Sequence, residues 1–175
     1  TMTSGSDAAA SLVATGYVVA QRKAEVASKG TGRLVKLDFE EGDIVSSGEV
    51  IAVLDNQDIR ANLQVAKAQL EQAKVDSLNS GRAYRRYKGL AESGAVTTAE
   101  LELAESKYKA ALAAVAGADA AVTTAEVNLE NTYIRAPFAG TILSIDLKPG
   151  ESALPSAPVA FLADTTVWTV ETKDL

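Results

Sequence analysis

Two stretches of this chain repeat each other: residues 32–55 read GRLVKLDFEEGDIVSSGEVIAVLD and residues 140–164 read GTILSIDLKPGESALPSAPVAFLAD. Under a shift of 108 positions two glycines, one aspartate and most apolar positions coincide. The identical pairs are Gly32/Gly140, Asp38/Asp146, Gly42/Gly150, Ala52/Ala160 and Leu54/Leu162. Short apolar runs with turn residues every few positions are typical of a compact sandwich or barrel. We therefore expect the two stretches to close on each other as the halves of one small β domain.

The segment between the two stretches has the composition and the period of a helical hairpin. Good helix formers dominate it, and apolar or small residues step by four and three, which is the coiled-coil period. In the first half these positions are Ile59, Leu63, Ala66, Leu70, Ala73, Ser77, Ser80, Tyr84, Tyr87 and Ala91. In the second half they are Leu101, Ala104, Tyr108, Ala111, Val115, Ala118, Val122, Ala125 and Leu129. Two helices of about 35 residues with a short loop between them must fold back antiparallel, and each spans roughly 50 Å.

The turn of the hairpin is expected near residues 92–97. Gly94 is well placed as the left-handed residue that ends the first helix. Residues 97–100, Thr-Thr-Ala-Glu, form a capping box in which Thr97 and Glu100 each accept a hydrogen bond from the other's backbone amide. Gly81 is expected to weaken the first helix by roughly 1 kcal/mol relative to Ala.

Composition excludes several kinds of site. The 175 residues carry a formal net charge of −6 and include neither cysteine nor histidine. Disulfides and thiolate or imidazole metal sites therefore cannot form, and the negative charge argues against a nucleic-acid partner. The sequence shows no nucleophile–base set and no phosphate loop, so we expect no catalytic residue, no metal and no cofactor.

The β runs outside the repeat suggest a second, incomplete β unit. No apolar run reaches the length of a membrane helix, and the first residues lack the basic stretch of a signal peptide. We therefore expect any anchor or signal segment to lie outside this chain. The expected divisions are a lead-in or expression remnant at 1–10, strands of a truncated β-barrel domain at 11–23 and 166–175, the β domain halves at 24–55 and 132–165, and the hairpin at 56–131.

Four stretches resemble the periplasmic adaptor subunits, or HlyD-like membrane fusion proteins, of bacterial tripartite efflux pumps. They are the half-motif at 32–55, the tip RRYKGLAESGAVTTAELELAESKY, the re-entry NTYIRAPFAGTI and the closing LKPGESALPSAPVAFLADTTVW. The resemblance implies an α+β fold. In it, a lipoyl-like (biotinyl-like) β-sandwich is split by a long antiparallel α-helical coiled-coil hairpin, and a fragment of a β-barrel domain adjoins it.

The same resemblance implies partners and a location. In this family the hairpin projects toward an outer-membrane channel of the TolC type, and other domains meet an inner-membrane transporter of the RND or ABC type. Six copies form a ring that encloses a sealed export conduit in the periplasm, attached to the inner membrane. Because this chain lacks the rest of those domains, we expect it to be monomeric or weakly associated in dilute solution.

The resemblance also implies channel-docking residues at the hairpin tip. In drug-pump adaptors the tip carries an Arg, a Leu four residues later and a Ser seven residues after that, which Arg86, Leu90 and Thr97 match. Threonine keeps the hydroxyl of the serine and adds a methyl group. The supporting tip residues are Arg82, Arg85, Lys88 and Gly94.

Each docking residue also has a structural interpretation. Arg86 belongs to a basic cluster opposed nearby only by Glu92, and surface charges are solvated by default. Leu90 is as well suited to packing within the tip as to contacting a channel. Thr97 is fully explained as an N-cap residue.

Two other functions remain as alternatives. Lipoyl or biotinyl carrier domains of acyl- or carboxyl-transfer enzymes share the two-halved β fold, but they need a lysine in the turn that joins the halves. Here residues 55–58 read Asp-Asn-Gln-Asp, and the nearest lysine of the hairpin, Lys67, lies well inside the predicted helix. A passive coiled-coil scaffold would leave the basic tip and the paired β halves without a purpose. The sequence is therefore interpreted as a non-enzymatic periplasmic adaptor.

Overall fold

The computed structural model describes residues 16–20, 22–155, 157–164 and 168–172. The predicted lead-in at 1–10 lies outside the described residues. The elements are β1 (Gly16–Ala20), β2 (Lys23–Ala27), β3 (Gly32–Leu37), β4 (Ile44–Val45), β5 (Val50–Leu54), α1 (Gln57–Glu92), α2 (Thr98–Glu130), β6 (Tyr133–Arg135), β7 (Gly140–Ile145), β8 (Ser152–Ala153), β9 (Pro158–Ala163) and β10 (Trp168–Thr172).

The β domain consists of two four-stranded antiparallel sheets, ordered β2-β9-β7-β4 and β6-β5-β3-β8. Each half of the repeat supplies a short strand to the sheet of the other half. Strand β4 of the first half pairs with β7, and strand β8 of the second half pairs with β3. The predicted closure of the two halves on each other is therefore confirmed, and it takes the form of an exchange of strands.

The repeat is also visible in the hydrogen bonds between the halves. The amide of Gly42 donates to the carbonyl of Ile142, and the amide of Gly150 donates to the carbonyl of Leu34, both at 2.8 Å. Both glycines have positive φ, 97° and 99°, which other residues adopt only with strain. Strands β2 and β6 extend the relationship beyond the stretch that the sequence revealed, since buried Val26 and Ile134 stand 108 positions apart.

The core lies between the two sheets and is made of aliphatic side chains. Burying one such side chain stabilises the fold by roughly 1.5–3 kcal/mol. The seven largest fully buried side chains come from both halves: Leu34, Val45, Ile51, Leu54, Ile142, Val159 and Leu162. The predicted lipoyl-like sandwich is thus stabilised by contacts that neither half can make alone.

The insertion between the halves is a two-helix hairpin. Helix α1 has 36 residues and α2 has 33, and the two pack along each other. Every position predicted from the four–three stepping is buried or half-buried, with Ala66, Leu70, Ala104 and Val122 the most enclosed apolar residues. Helix α2 is long and apolar enough to cross a membrane by length and composition alone, and in the structure it lies along α1.

The hairpin is joined to the sandwich by a small polar cluster. The Thr132 side chain is 3% exposed. Its hydroxyl donates to the carbonyl of Leu129 at 2.7 Å and accepts from Nδ2 of Asn56 at 3.0 Å. The guanidinium of Arg60 donates to the hydroxyl of Tyr133 at 3.0 Å. These bonds tie the first turn of α1 and the end of α2 to the sheets.

The terminal strands form a separate two-stranded sheet. Strand β1 pairs antiparallel with β10 from Gly16↔Thr172 to Ala20↔Trp168, as predicted for the runs 12–20 and 166–171; residues 12–15 and 166–167 lie outside the described residues. Lys23, placed by the sequence with the terminal strands, pairs instead with Ala163 of the sandwich.

Candidate functional site at the hairpin tip

The end of α1 is fixed by a Schellman motif. The amide of Ala95 donates to the carbonyl of Leu90, and the amide of Gly94 donates to the carbonyl of Ala91, both at 3.0 Å. Gly94 has φ of 69°, as predicted for the left-handed residue that ends the helix. Carbonyl groups that would otherwise lack partners are thereby satisfied within the turn.

The start of α2 is fixed by the predicted capping box. The Thr97 hydroxyl accepts from the amide of Glu100 at 3.3 Å, and the Glu100 carboxylate accepts from the amide of Thr97 at 2.8 Å and from its hydroxyl at 2.9 Å. The backbone and hydroxyl hydrogen bonds from Thr97 hold the pKa of Glu100 below its usual value of about 4.5. The tip is therefore a five-residue turn, 93–97, with a defined stop on one side and a defined start on the other.

The three predicted docking residues occupy different environments. Arg86 is exposed on α1, and Leu90, one turn later, is 39% exposed. The Thr97 hydroxyl is engaged in the capping box. Within the described part of the chain, the predicted basic tip residues form no ion pair; they are Arg82, Arg85, Arg86 and Lys88.

A shallow groove of about 420 Å³ runs between the helices just below the tip. It brings Arg86 and Tyr87 of α1 together with Glu100, Leu103 and Lys107 of α2. Leu90 and Thr97 do not line it. Of the three predicted docking residues, Arg86 lines the groove, whereas Leu90 and Thr97 lie nearer the turn.

The groove corrects the expectation that Glu92 is the one acidic residue near the basic cluster of the tip. Along the sequence the basic cluster is opposed nearby only by Glu92, but folding back the hairpin brings Glu100 into the groove that Arg86 lines. Leu103 and Lys107 were not singled out from the sequence. The antiparallel pairing of the helices was the signal that could have identified them, because it places residues near 86 opposite residues near 104.

An aromatic pair supports the helices behind this groove. The rings of Tyr84 and Tyr108 stack with centroids 5.9 Å apart and planes inclined by 17°. Gly81 is buried, and a Cβ atom added to it would lie 2.9 Å from Cε2 of Tyr108. Gly81, predicted as a weak point of the helix, is therefore also a packing position that admits the Tyr108 ring.

The described residues offer no cluster of three or more Asp or Glu side chains arranged to hold a metal ion. Lys67 lies inside α1, where its ammonium pairs with Oε1 of Glu126 at 3.1 Å, and the turn into α1 carries no lysine. The class of protein defined by the structure is thus a split lipoyl-like sandwich with a long, capped helical hairpin and no carrier lysine at the turn.

Comparison with known proteins agrees with that class. The family model described as "RND MFP, barrel-sandwich hybrid domain" matches residues 22–162. The chain is 30% identical over 131 residues to the multidrug resistance protein MdtA of Klebsiella pneumoniae, covering 75% of this chain and 32% of that protein. It is 29% identical over 180 residues to the macrolide export protein MacA of Escherichia coli O157:H7, covering 93% of this chain and 48% of that protein.

Solved structures show the same architecture. MacA from Actinobacillus actinomycetemcomitans superimposes with a TM-score of 0.76 at 23% identity, over 91% of this chain and 54% of that one. A MacA–MexA chimera with the Pseudomonas aeruginosa MexA α-hairpin superimposes with a TM-score of 0.72 at 26% identity, over 92% of this chain and 54% of that one.

The chain belongs to the membrane fusion protein family, whose members are non-enzymatic adaptors of efflux systems. It spans about a third to a half of the length of the curated relatives compared here, 32% and 48%.

Proposed function

We propose that the full-length protein is a periplasmic adaptor that links an inner-membrane efflux transporter, of the RND or ABC type, to an outer-membrane channel of the TolC type. The exchange of β4 and β8 carries this proposal, because it closes the sandwich across the insertion. Everything between Asn56 and Asn131 must then leave the sandwich as a rod, and helices of 36 and 33 residues reach roughly 50 Å. A rod of that length suits a protein that spans part of the periplasm.

The tip is proposed as the part that meets the channel, with Arg86, Leu90 and Thr97 as the docking residues. Arg86 is exposed and free of ion pairs within the described residues, so its guanidinium can bind carbonyl or carboxylate groups of a partner. Leu90 adds exposed apolar surface one turn away. The supporting residues are Arg82, Arg85 and Lys88, which add positive charge, and Gly94, which shapes the turn.

The backs of the helices support a proposed ring of six copies. A hairpin that stayed alone in water would be expected to carry polar residues on the sides facing away from its seam. Here the back of α2 carries an exposed stripe of small and apolar residues: Ala99, Leu103, Ser106, Ala110, Ala113, Gly117, Ala120, Thr124 and Val127. A Cβ atom added at Gly117, or at Gly89 on the back of α1, would meet nothing within 4 Å. Small exposed residues such as these suit close approach by the hairpin of a neighbouring copy.

The proposed location is the periplasm, in association with the inner membrane, and cell fractionation tests it. The chain of 175 residues is proposed to be monomeric or weakly associated in dilute solution. Sedimentation of the chain over a range of concentrations tests its association.

Site-specific photocrosslinking in cells tests the docking proposal. A photoreactive residue at Leu90 of the full-length protein is expected to give an adduct with an outer-membrane channel, identified by mass spectrometry. Arg86→Asp should abolish that adduct while leaving the circular dichroism spectrum of the chain unchanged. Lys109→Asp is the matched control, since Lys109 is an exposed cation of α2 whose one ion pair in the described residues is with Glu105. Full adduct formation by a folded Arg86→Asp protein would refute the docking role of Arg86.

A further inference from the structure

An exposed ion pair, Arg135–Glu130, forms a brace where the chain returns from α2 to the sheets. The guanidinium of Arg135, on β6, donates through Nε to Oε1 of Glu130 at 2.5 Å and through Nη2 to Oε2 at 3.4 Å. Its Nη1 donates to the carbonyl of Gly48 at 3.0 Å. The side chains of the pair are 41% and 57% exposed. Arg135 thus connects the last residue of α2 to the turn between β4 and β5, outside the core.

The sandwich end of this brace is fixed by several contacts. The amide of Gly48 donates to the carbonyl of Ala136 at 2.8 Å, and the amide of Ala136 donates to the carbonyl of Glu49 at 2.9 Å. The guanidinium of Arg135 also lies over the ring of Tyr133, two residues earlier on β6, at 5.6 Å from its centroid. The sandwich therefore positions Arg135, and Arg135 holds the end of α2.

A second cation faces Glu130 across a small cleft. The cleft has a volume of about 120 Å³, and it is lined by Lys29 of the loop between β2 and β3 and by Glu130 and the residues that follow α2. Within the described part of the chain Lys29 forms no ion pair. The hydrogen bond from Arg135 holds the pKa of Glu130 below its usual value, and the charge of Lys29 acts in the same direction. Glu130 therefore has one cation in contact and a second one nearby.

The loop that carries Lys29 is itself held in place. The Ser28 side chain is 3% exposed, and its hydroxyl donates to the carbonyl of Gly30 at 2.6 Å and accepts from the amide of Gly30 at 3.2 Å. A Cβ atom added to Gly30 would lie 3.3 Å from the carbonyl oxygen of Asn131, so the loop lies against the end of α2. This contact and the buried hydrogen bonds of Thr132 form a pivot, about which α2 can tilt toward the loop.

We propose that Arg135 is a positioning residue that sets the direction of the hairpin relative to the sandwich by holding Glu130. Without Arg135, Glu130 pairs with Lys29, and the hairpin tilts toward the loop between β2 and β3. A tilt of about 10° moves the tip, roughly 50 Å from the pivot, by about 9 Å. The hydrogen bond from Arg60 to Tyr133 joins two long side chains at the surface and can follow such a tilt. The inference goes beyond the proposed function and does not depend on it, because it concerns the chain alone.

Distances between paired spin labels on the chain of 175 residues test the inference. The sequence contains no cysteine, so labels attach only at cysteines introduced for the purpose. The first label pair is placed at Thr31, in the loop, and at Asp119, both of which are exposed. Asp119 lies eleven residues before Glu130, on the same side of α2. A tilt toward the loop therefore brings the two labels closer together.

Three substitutions separate the roles of the charged groups. Arg135→Gln should shorten the mean Thr31–Asp119 distance by about 3 Å, since a tilt of about 10° acts over roughly 20 Å of helix above the pivot. Glu130→Gln removes the carboxylate that both cations bind, so it should broaden the distance distribution without shifting its mean. Lys29→Gln, added to Arg135→Gln, should cancel the shift.

Two controls and a salt titration accompany these variants. Lys67→Gln is the matched control, because the Lys67–Glu126 ion pair is similarly exposed but joins the helices to each other; the first label pair should keep its distance. A second label pair at Ala61 and Glu102, both within the hairpin, should keep its distance in every variant. At about 1 M salt the Debye length falls to about 3 Å, so the first label pair should show a broader distribution even with the brace residues intact.

Each contrary result would overturn a named part of the inference. An unchanged distance in a folded Arg135→Gln chain, or an equal shift in Lys67→Gln, would overturn the positioning role of Arg135. A shift that persists after Lys29→Gln would overturn the pairing of Glu130 with Lys29. Should Arg135→Gln fail to fold, an unchanged distribution at about 1 M salt would overturn the brace.

Discussion

Gly81 of α1 and Tyr108 of α2 lie in direct contact: a Cβ atom added to Gly81 would be 2.9 Å from Cε2 of the tyrosine ring. The ring in turn stacks on Tyr84, with centroids 5.9 Å apart. The absence of a side chain at position 81 therefore sets how closely the helices approach below the tip. The packing of the Tyr84–Tyr108 pair offsets the low helix propensity of the glycine.

Replacing this glycine should destabilise the chain, although alanine is the better helix former. Gly81→Ala gains up to ~1 kcal/mol of helix propensity but displaces the Tyr108 ring, and overpacking typically costs about 1–3 kcal/mol. We expect a net loss of about 1 kcal/mol in urea unfolding. Gly117→Ala, with open space around its Cβ, is the matched control and should gain ~1 kcal/mol. Tyr108→Leu should relieve Gly81→Ala, which a double-mutant cycle measures. Equal gains at positions 81 and 117 would refute the packing role.

Loss of the Thr97 hydroxyl should weaken the start of α2. Thr97→Ala removes the acceptor for the Glu100 amide and should cost about 1 kcal/mol of unfolding free energy. Thr97→Ser keeps the cap and removes only the methyl group, so it should be close to neutral. Thermal unfolding of the three proteins checks this order. A Thr97→Ser protein as unstable as Thr97→Ala would show that the methyl group, and not the cap, stabilises the turn.

The capping box should also contribute a pH-dependent term to stability. The amide and hydroxyl of Thr97 hold the pKa of Glu100 below its usual 4.5 in the folded chain. A carboxyl group with a lowered pKa in the folded state stabilises fully above its unfolded pKa, and that stabilisation is lost as the pH falls through the folded value. The stability difference between wild type and Glu100→Gln should thus be greatest above 4.5 and shrink at lower pH. Urea unfolding from about pH 7 to about pH 3 measures it, and a difference independent of pH would contradict the assignment.

The polar cluster at the base of the hairpin should resist an isosteric change. Thr132→Val keeps the shape of a side chain that is 3% exposed but removes the hydroxyl shared by Asn56 and the Leu129 carbonyl. The Leu129 carbonyl keeps its hydrogen bond from the amide of residue 132, at 3.0 Å in the structure, so we expect a loss of about 1 kcal/mol of unfolding free energy. Amide hydrogen exchange should rise at the end of α2 and the start of α1, with little change at the tip. Thr124→Val, on the exposed back of α2, is the matched control.

The parts of the fold that follow from a period were predictable from the sequence. Each helix position that the four–three stepping placed in the seam is buried or half-buried in the structure. The shift of 108 positions identified the two halves whose strands pair. The capping box at Thr97 was equally local, because both of its partners lie within four residues. These features are encoded in the spacing of residue types and need no knowledge of distant contacts.

Features that depend on which helix residues face each other were harder to predict. Gly81 was expected only as a weak point, since its benefit depends on a tyrosine 27 positions further along the chain. The groove escaped notice for the same reason, because Lys107 joins Arg86 only after the hairpin has folded back. The match of β2 with β6 was hidden because only one buried pair, Val26 and Ile134, supports it in the sequence.

The exchange of β4 and β8 makes the sandwich the last part of the chain to close. The β6-β5-β3-β8 sheet lacks its edge strand until Ser152 and Ala153 have been synthesised, whereas the two helices pair through residues 57–130 alone. Contacts far apart in sequence form slowly, so we expect the hairpin to form before the sandwich closes. A released chain that ends at residue 140 would thus carry a paired hairpin on an unfinished β domain.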